Sequence, residues 1–151
     1  MLKVVVDTNI LVSALWTPEG NASSVVRLIL TDKIIPCFDE RIIHEYRTVL
    51  SRPKLSFSGN QVDSLLEEIT VRGIMVFPLP GKVKMPDETD RKFYDTAKYC
   101  EAYLFTGNLK HYPKDSFITS PAGFLNVYNR FFQPYLCIAA MVFMALSYFV
   151  F

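Results

Sequence analysis

The chain has 151 residues, enough for one domain with a real core. Half of it is apolar and 21% is charged, which is the balance of a folded protein and excludes a disordered one. A formal net charge of only +1 excludes recognition of nucleic acid by bulk positive charge, so any such contact must use local clusters. The candidates are Arg47/Arg52/Lys54, Lys82/Lys84, Arg91/Lys92 and Lys110/His111/Lys114, each of which also reads as plain solvated surface.

In chain order, Val4-Val5-Val6 is a β-branched run and predicts a buried strand. Asn21 precedes Val25, Val26, Leu28 and Ile29, the pattern of a capped helix. Ile34 to Phe38 predicts a second strand. Asp39 is placed to cap a helix with Ile42, Ile43, Tyr46, Val49 and Leu50 on one face, ended by Pro53. Ser58 to Val71 repeats the helical period through Val62, Leu65, Leu66 and Ile69. Gly73 punctuates, Ile74 to Phe77 predicts a third strand, and Pro78, Pro80, Gly81 and Pro86 mark a loop. A helix over Thr89 to Cys100, strands over Tyr103–Phe105 and Phe117–Thr119, and a short helix opened by Pro121 complete the series. Strands separated by helices imply an α/β fold with a central, mostly parallel sheet covered on both faces, a three-layer sandwich.

The character changes after residue 130. The stretch 135–151 carries no charge, and its length is at the lower limit for a membrane-spanning helix. Arg130 and the Phe131-Phe132 pair are like interfacial anchors. A buried core or dimer-interface helix, or a tail foreign to the domain, reads equally well. The expected organisation is therefore a domain over 1–130 and a hydrophobic tail, or C-terminal hydrophobic helix, over 131–151. Cys37, Cys100 and Cys137 have no C-x-x-C spacing; the first two read as buried reduced thiols. Lys3 and Asp7 break the first apolar run too early for a signal peptide, and the domain is expected in the cytoplasm, with the tail as a potential tether to the inner face of a membrane.

In a parallel α/β sheet, ligands bind beyond the carboxyl ends of the strands. Asp7 falls there, directly after the first strand. A carboxylate following three valines needs a partner or a metal, although it also suits the cap of a following helix. Glu45 lies inside a helix, where a glutamate is ordinarily solvated. Asp87, Glu88 and Asp90 gather at the start of a helix, a position the helix dipole favours without any function. Taken together, these carboxylates at one sheet edge cannot all stay ionised without a cation. Hard oxygen ligands select Mg²⁺ or Mn²⁺, which suit phosphoryl chemistry by lowering the pKa of a bound water and neutralising charge on a phosphate. His44 and His111, the two histidines, have no nucleophile at motif spacing.

The strings Val4-Val5-Val6-Asp7-Thr8-Asn9-Ile10-Leu11-Val12-Ser13-Ala14, His44-Glu45-Tyr46, Pro86-Asp87-Glu88-Thr89-Asp90 and Thr106-Gly107-Asn108 resemble the PIN-domain nucleases, over roughly residues 1–128. The branch they resemble most is described as toxin components of toxin–antitoxin systems, akin to the toxin of VapBC pairs. The resemblance implies a PIN-like fold and an Mg²⁺- or Mn²⁺-dependent endoribonuclease. It implies Asp7, Glu45 and Asp90 as catalytic metal ligands. At the family's fourth acidic position, where many members have Asp, this chain has Asn108, an amide that can ligate but brings no charge. Asp87 and Asp95 stand as second-tier ligands, Asn9 and Thr106 as groups that orient ligands or a water. Lys92, Lys110 and His111 (with Arg91 beside them) are expected to contact RNA phosphates near the cut.

The implied partners are the RNA substrate, a small antitoxin and a second copy of the chain, with membrane contact through the tail. Asn108 also motivates a second reading, a catalytically inactive PIN fold serving as an RNA- or protein-binding module. A phosphotransfer receiver or haloacid-type phosphatase needs a second Asp two residues after the first, and Asn9 stands there instead. No aromatic stacking platform for bases is evident from the sequence.

Overall fold

The computed structural model describes residues 1–131. Its first strand, β1 (Leu2–Val6), places Val4, Val5 and Val6 in the centre of the core. Asp7 then caps a helix that sequence periodicity missed, α1 (Thr8–Trp16), by accepting from the Asn9 backbone N–H. Ile10, Leu11, Val12, Ala14 and Leu15 make this helix apolar nearly all round, so it lacks the polar face that marks a helical period. A tight turn leads to α2 (Asn21–Leu30), where Gly20, not Asn21, occupies the cap position. Val25 and Ile29 of α2 are fully buried.

β2 (Ile34–Phe38) and α3 (Glu40–Leu50) follow, joined by Asp39, whose carboxylate accepts from the Ile42 N–H at 2.9 Å. α4 (Gly59–Arg72) begins with a full capping box between Ser58 and Gln61. β3 is only Ile74–Met75, shorter than the expected run to Phe77, although Val76 still donates to the Phe38 carbonyl. After the proline-rich loop, a 3-10 turn (Glu88–Asp90) runs into α5 (Arg91–Cys100). β4 (Tyr103–Phe105) and β5 (Ile118–Thr119) complete the sheet.

The five strands are ordered β3-β2-β1-β4-β5, and every pairing is parallel. The fold is thus the expected α/β sandwich, with a sheet that is wholly parallel. β1 lies in the middle, between β2 and β4, where the winding of the chain reverses. Such a switch point opens a crevice beyond the carboxyl ends of the two strands. Here those ends are followed by Asp7 and Thr106.

Residues 1–121 form one compact unit, and residues 122–131 fall outside it. The helix α6 (Pro121–Phe131) carries Phe124 and Tyr128 one turn apart, with ring centroids at 5.5 Å. Among the described residues, no helix is long and apolar enough to cross a membrane. The expected hydrophobic tail lies, from residue 132 on, outside the described residues, and Cys137 with it. Cys37 and Cys100 are free and buried, and burial pushes the Cys37 thiol up to about 12.

Gly73, between α4 and β3, is required by close approach. A Cβ there would strike the Phe38 ring and lie 2.7 Å from the carbonyl oxygens of Ile69 and Pro36. Gly73→Ala is therefore expected to lower stability by roughly 1–3 kcal/mol, the usual cost of overpacking. Urea unfolding checks this, and an unchanged midpoint would show that β3 shifts freely.

Candidate metal centre

Three elements bring the acids together. β1 ends at Val6, so the Asp7 carboxylate stands at the switch point, only 5% exposed. Its Oδ1 accepts from the Asn9 N–H at 3.3 Å, and its Oδ2 accepts from the hydroxyls of Thr106 (2.7 Å) and Tyr112 (3.0 Å). The Tyr46 hydroxyl of α3 donates to the Val6 carbonyl, which pins that helix to the end of β1. The neighbouring Glu45 is thereby held at the mouth of the sheet. Thr8 Oγ1 donates to Glu45 Oε1 at 2.6 Å, and the Lys92 ammonium lies 2.7 Å from Glu45 Oε2. Asp90 is at the start of α5, with Oδ2 2.8 Å from His111 Nδ1. Asp87 Oδ2 lies 3.4 Å from the same nitrogen.

Asp7, Glu45, Asp87, Asp90, Asn108 and His111 all line one cavity of about 460 Å³. Within it, Asp87, Asp90 and His111 offer ligand atoms that lie within 4.8 Å of one another. Asn9 lines this cavity, and Thr106 is buried behind Asp7. The Asn9 side chain accepts from the Gly107 N–H at 3.0 Å, and Thr106 Oγ1 accepts from the Asn108 N–H at 2.9 Å while donating to Asp7.

The structure does not gather every candidate. Asp95 lies more than one turn further along α5 and faces the proline-rich loop, where it accepts from the Gly81 N–H at 3.1 Å. Its carboxylate serves the loop, as does Arg91, which donates to the carbonyls of Gly81 and Val83. Lys110 lines a different cavity, beside Pro86 and Pro113. Lys92 is turned onto Glu45, and His111 onto Asp90. His111 thus joins the donor cluster itself, three residues beyond Asn108. Tyr112, Thr8 and Tyr46 were not legible as site residues, because nothing in the local sequence shows that they converge on Asp7 and Glu45.

The electrostatics match a cation site. Burial pushes the Asp7 carboxyl above its ordinary range, and the nearby Asp90 charge pushes it further. The Thr106 and Tyr112 hydroxyls and the Asn9 N–H pull it back only in part. Hydrogen bonding to Asp90 raises the His111 imidazole above 6.5, and the Asp87 and Asp7 charges add to this. The Tyr112 phenol is driven far up by burial and by Asp7, so it stays a donor. An enclosed carboxylate close to Asp90, in a cavity that also holds the Asp87-Asp90-His111 donor set, fits a divalent cation.

A doubly wound parallel sheet with acids gathered at its switch point is an arrangement suited to holding a hard metal ion. The PIN-domain profile matches residues 3–110, and the chain belongs to the PIN-domain family. It is also 30% identical over 110 residues to Uncharacterized protein MJ1680 of Methanocaldococcus jannaschii, covering 71% of each chain. Such domains are generally metal-dependent nucleases, and the Asp87-Asp90-His111 cluster is consistent with that.

The raised Asp7 pKa carries a sign for stability. The folded protein binds this proton more tightly than the unfolded chain, so stability falls as pH rises from 3.8 through the higher folded value. Asp7→Asn keeps the cap and removes the charge. In the metal-free protein it is expected to raise Tm at pH 7, a gain that fades toward pH 4. Thermal unfolding in EDTA checks this; a lower Tm at pH 7 would mean that the hydroxyl donors fully compensate the buried charge.

Proposed function

We propose that this chain is a metal-dependent endoribonuclease that hydrolyses RNA phosphodiesters at the cavity built on Asp7, Glu45 and Asp90. The observation that carries the reading is the convergence of these three acids, from β1, α3 and α5, on one cleft at the switch point. A bound Mg²⁺ or Mn²⁺ would neutralise charge on the scissile phosphate and make a water more acidic. The chain's own groups hold the geometry for that. Thr106 and Tyr112 fix the Asp7 carboxylate, and Thr8 fixes Glu45. Lys92 sets an ammonium beside Glu45 at the edge of the cleft, where a phosphate oxygen enters.

His111 has a specific part in this reading. It joins Asp87 and Asp90 in the donor set and offers a nitrogen where Asn108 brings no acid. A nitrogen donor shifts preference toward Mn²⁺ over Mg²⁺. The second reading, an inactive PIN fold that binds RNA or protein, is favoured by the amide at Asn108 and is distinguished by metal binding without turnover.

The reading extends to a toxin of a toxin–antitoxin pair, supported by the resemblance of the motif strings. A small antitoxin would then cover the acidic cleft, and the free chain would arrest growth. A homodimer, a cytoplasmic setting and contact of segment 135–151 with a membrane belong to the same proposal.

Cleavage of RNA is expected with Mn²⁺ and to a lesser extent with Mg²⁺, and none in EDTA. Asp7→Asn and Asp90→Asn should each lose at least about a hundred-fold in rate, beyond what loss of a merely orienting group costs. His111→Ala should narrow the preference for Mn²⁺ in direct binding. Gel assays and titration calorimetry read these. Folded protein that binds Mn²⁺ yet cuts no RNA would establish the inactive module instead.

A further inference from the structure

Trp16 closes α1 with 59% of its surface exposed. A single exposed aromatic needs no explanation by itself. This one, however, lines the same cavity as Asp7, Glu45 and Asp90. Its indole leans on the Phe57 ring at 6.0 Å between centroids, which supports it from the neighbouring turn. Arg52 and Lys54 line the cavity too. Arg52 also borders an adjoining cavity of about 740 Å³, whose lining includes Arg41, His44 and Lys92.

An acidic cleft repels a polyanion, so a nuclease needs cations and a base-holding surface close by. A supported aromatic ring flanked by Arg and Lys is the combination that grips single strands. The ring stacks on any base, and the cations track the backbone. A duplex keeps its base faces covered and presents none to such a ring. We propose that Trp16, with Arg52 and Lys54, forms a stacking subsite for one unpaired base of a single-stranded nucleic acid, adjoining the phosphodiester at the acidic centre. The neighbouring chemistry in this inference rests on the nuclease reading; the stacking itself does not.

The chain holds one tryptophan, so its emission reports on this subsite alone. The test titrates the full chain, in EDTA, with RNA and DNA strands of about a dozen nucleotides, with their duplexes, and with a strand stripped of its bases. Single strands of RNA, DNA or both should quench the emission saturably, while duplexes and the abasic strand should leave it unchanged. Measured by anisotropy of a labelled strand, Trp16→Ala should weaken binding about ten-fold and Trp16→Phe by less than about three-fold. Absent quenching, equal quenching by duplex or abasic strand, or undiminished binding by Trp16→Ala would overturn the proposal. Because no metal is present, these outcomes leave the nuclease reading standing. Conversely, quenching without cleavage in Mn²⁺ would remove the nuclease reading and keep the subsite.

Discussion

A carboxylate at the buried end of a central strand is unfavourable in any protein, and Asp7 is placed there with only 5% of its surface exposed. Desolvation and the nearby Asp90 both oppose its charge. The rest of the site can be understood as a response to that constraint. Thr106 from the loop after β4 and Tyr112 from the segment beyond it both turn hydroxyls toward Asp7. Asn9 ties the same loop to α1 through the Gly107 N–H. The switch point is thus stitched across strands far apart in sequence, and the stitching is what aims the carboxylate into the cleft.

The charge of the other two acids is balanced by neighbouring basic side chains. Lys92 occupies one oxygen of Glu45, and His111 one oxygen of Asp90. Both are positive or readily made so; His111 lines the cavity and Lys92 lines the adjoining one. The metal-free fold therefore carries its own provisional counter-charges. Glu45 is held by the same packing: its helix is anchored by Tyr46 to the Val6 carbonyl, so the residue that packs and the acid that reaches the cavity are adjacent in the chain.

Much of this was readable from the residues. The β-branched run before Asp7, the Asp39 cap, the Ser58 start and the Pro-rich loop gave strands and helices close to those found. The motif strings singled out Asp7, Glu45, Asp90 and Asn108, residues that line one cavity, and the PIN fold they imply is what the family match supports. α1 escaped because a helix that is apolar nearly all round has no amphipathic period, and its first residues continue the composition of the strand before it. Asp95 was drawn in by proximity in sequence, whereas its position along α5 turns it to Gly81. Trp16 and Tyr112 could not be seen as site residues because their roles arise only when distant segments meet. An exposed tryptophan at a helix end looks the same in sequence as a buried one.

The proposed chemistry rests on occupancy of the acidic switch point by a divalent cation. The most direct measurement is anomalous diffraction from crystals of the chain grown with Mn²⁺. The account predicts a strong peak in the cleft at ligand distance from Asp7 and Asp90, with His111 turned onto the ion and Lys92 drawn off Glu45. A cleft without a peak at saturating Mn²⁺, with Lys92 still on Glu45 and His111 still on Asp90, would contradict it.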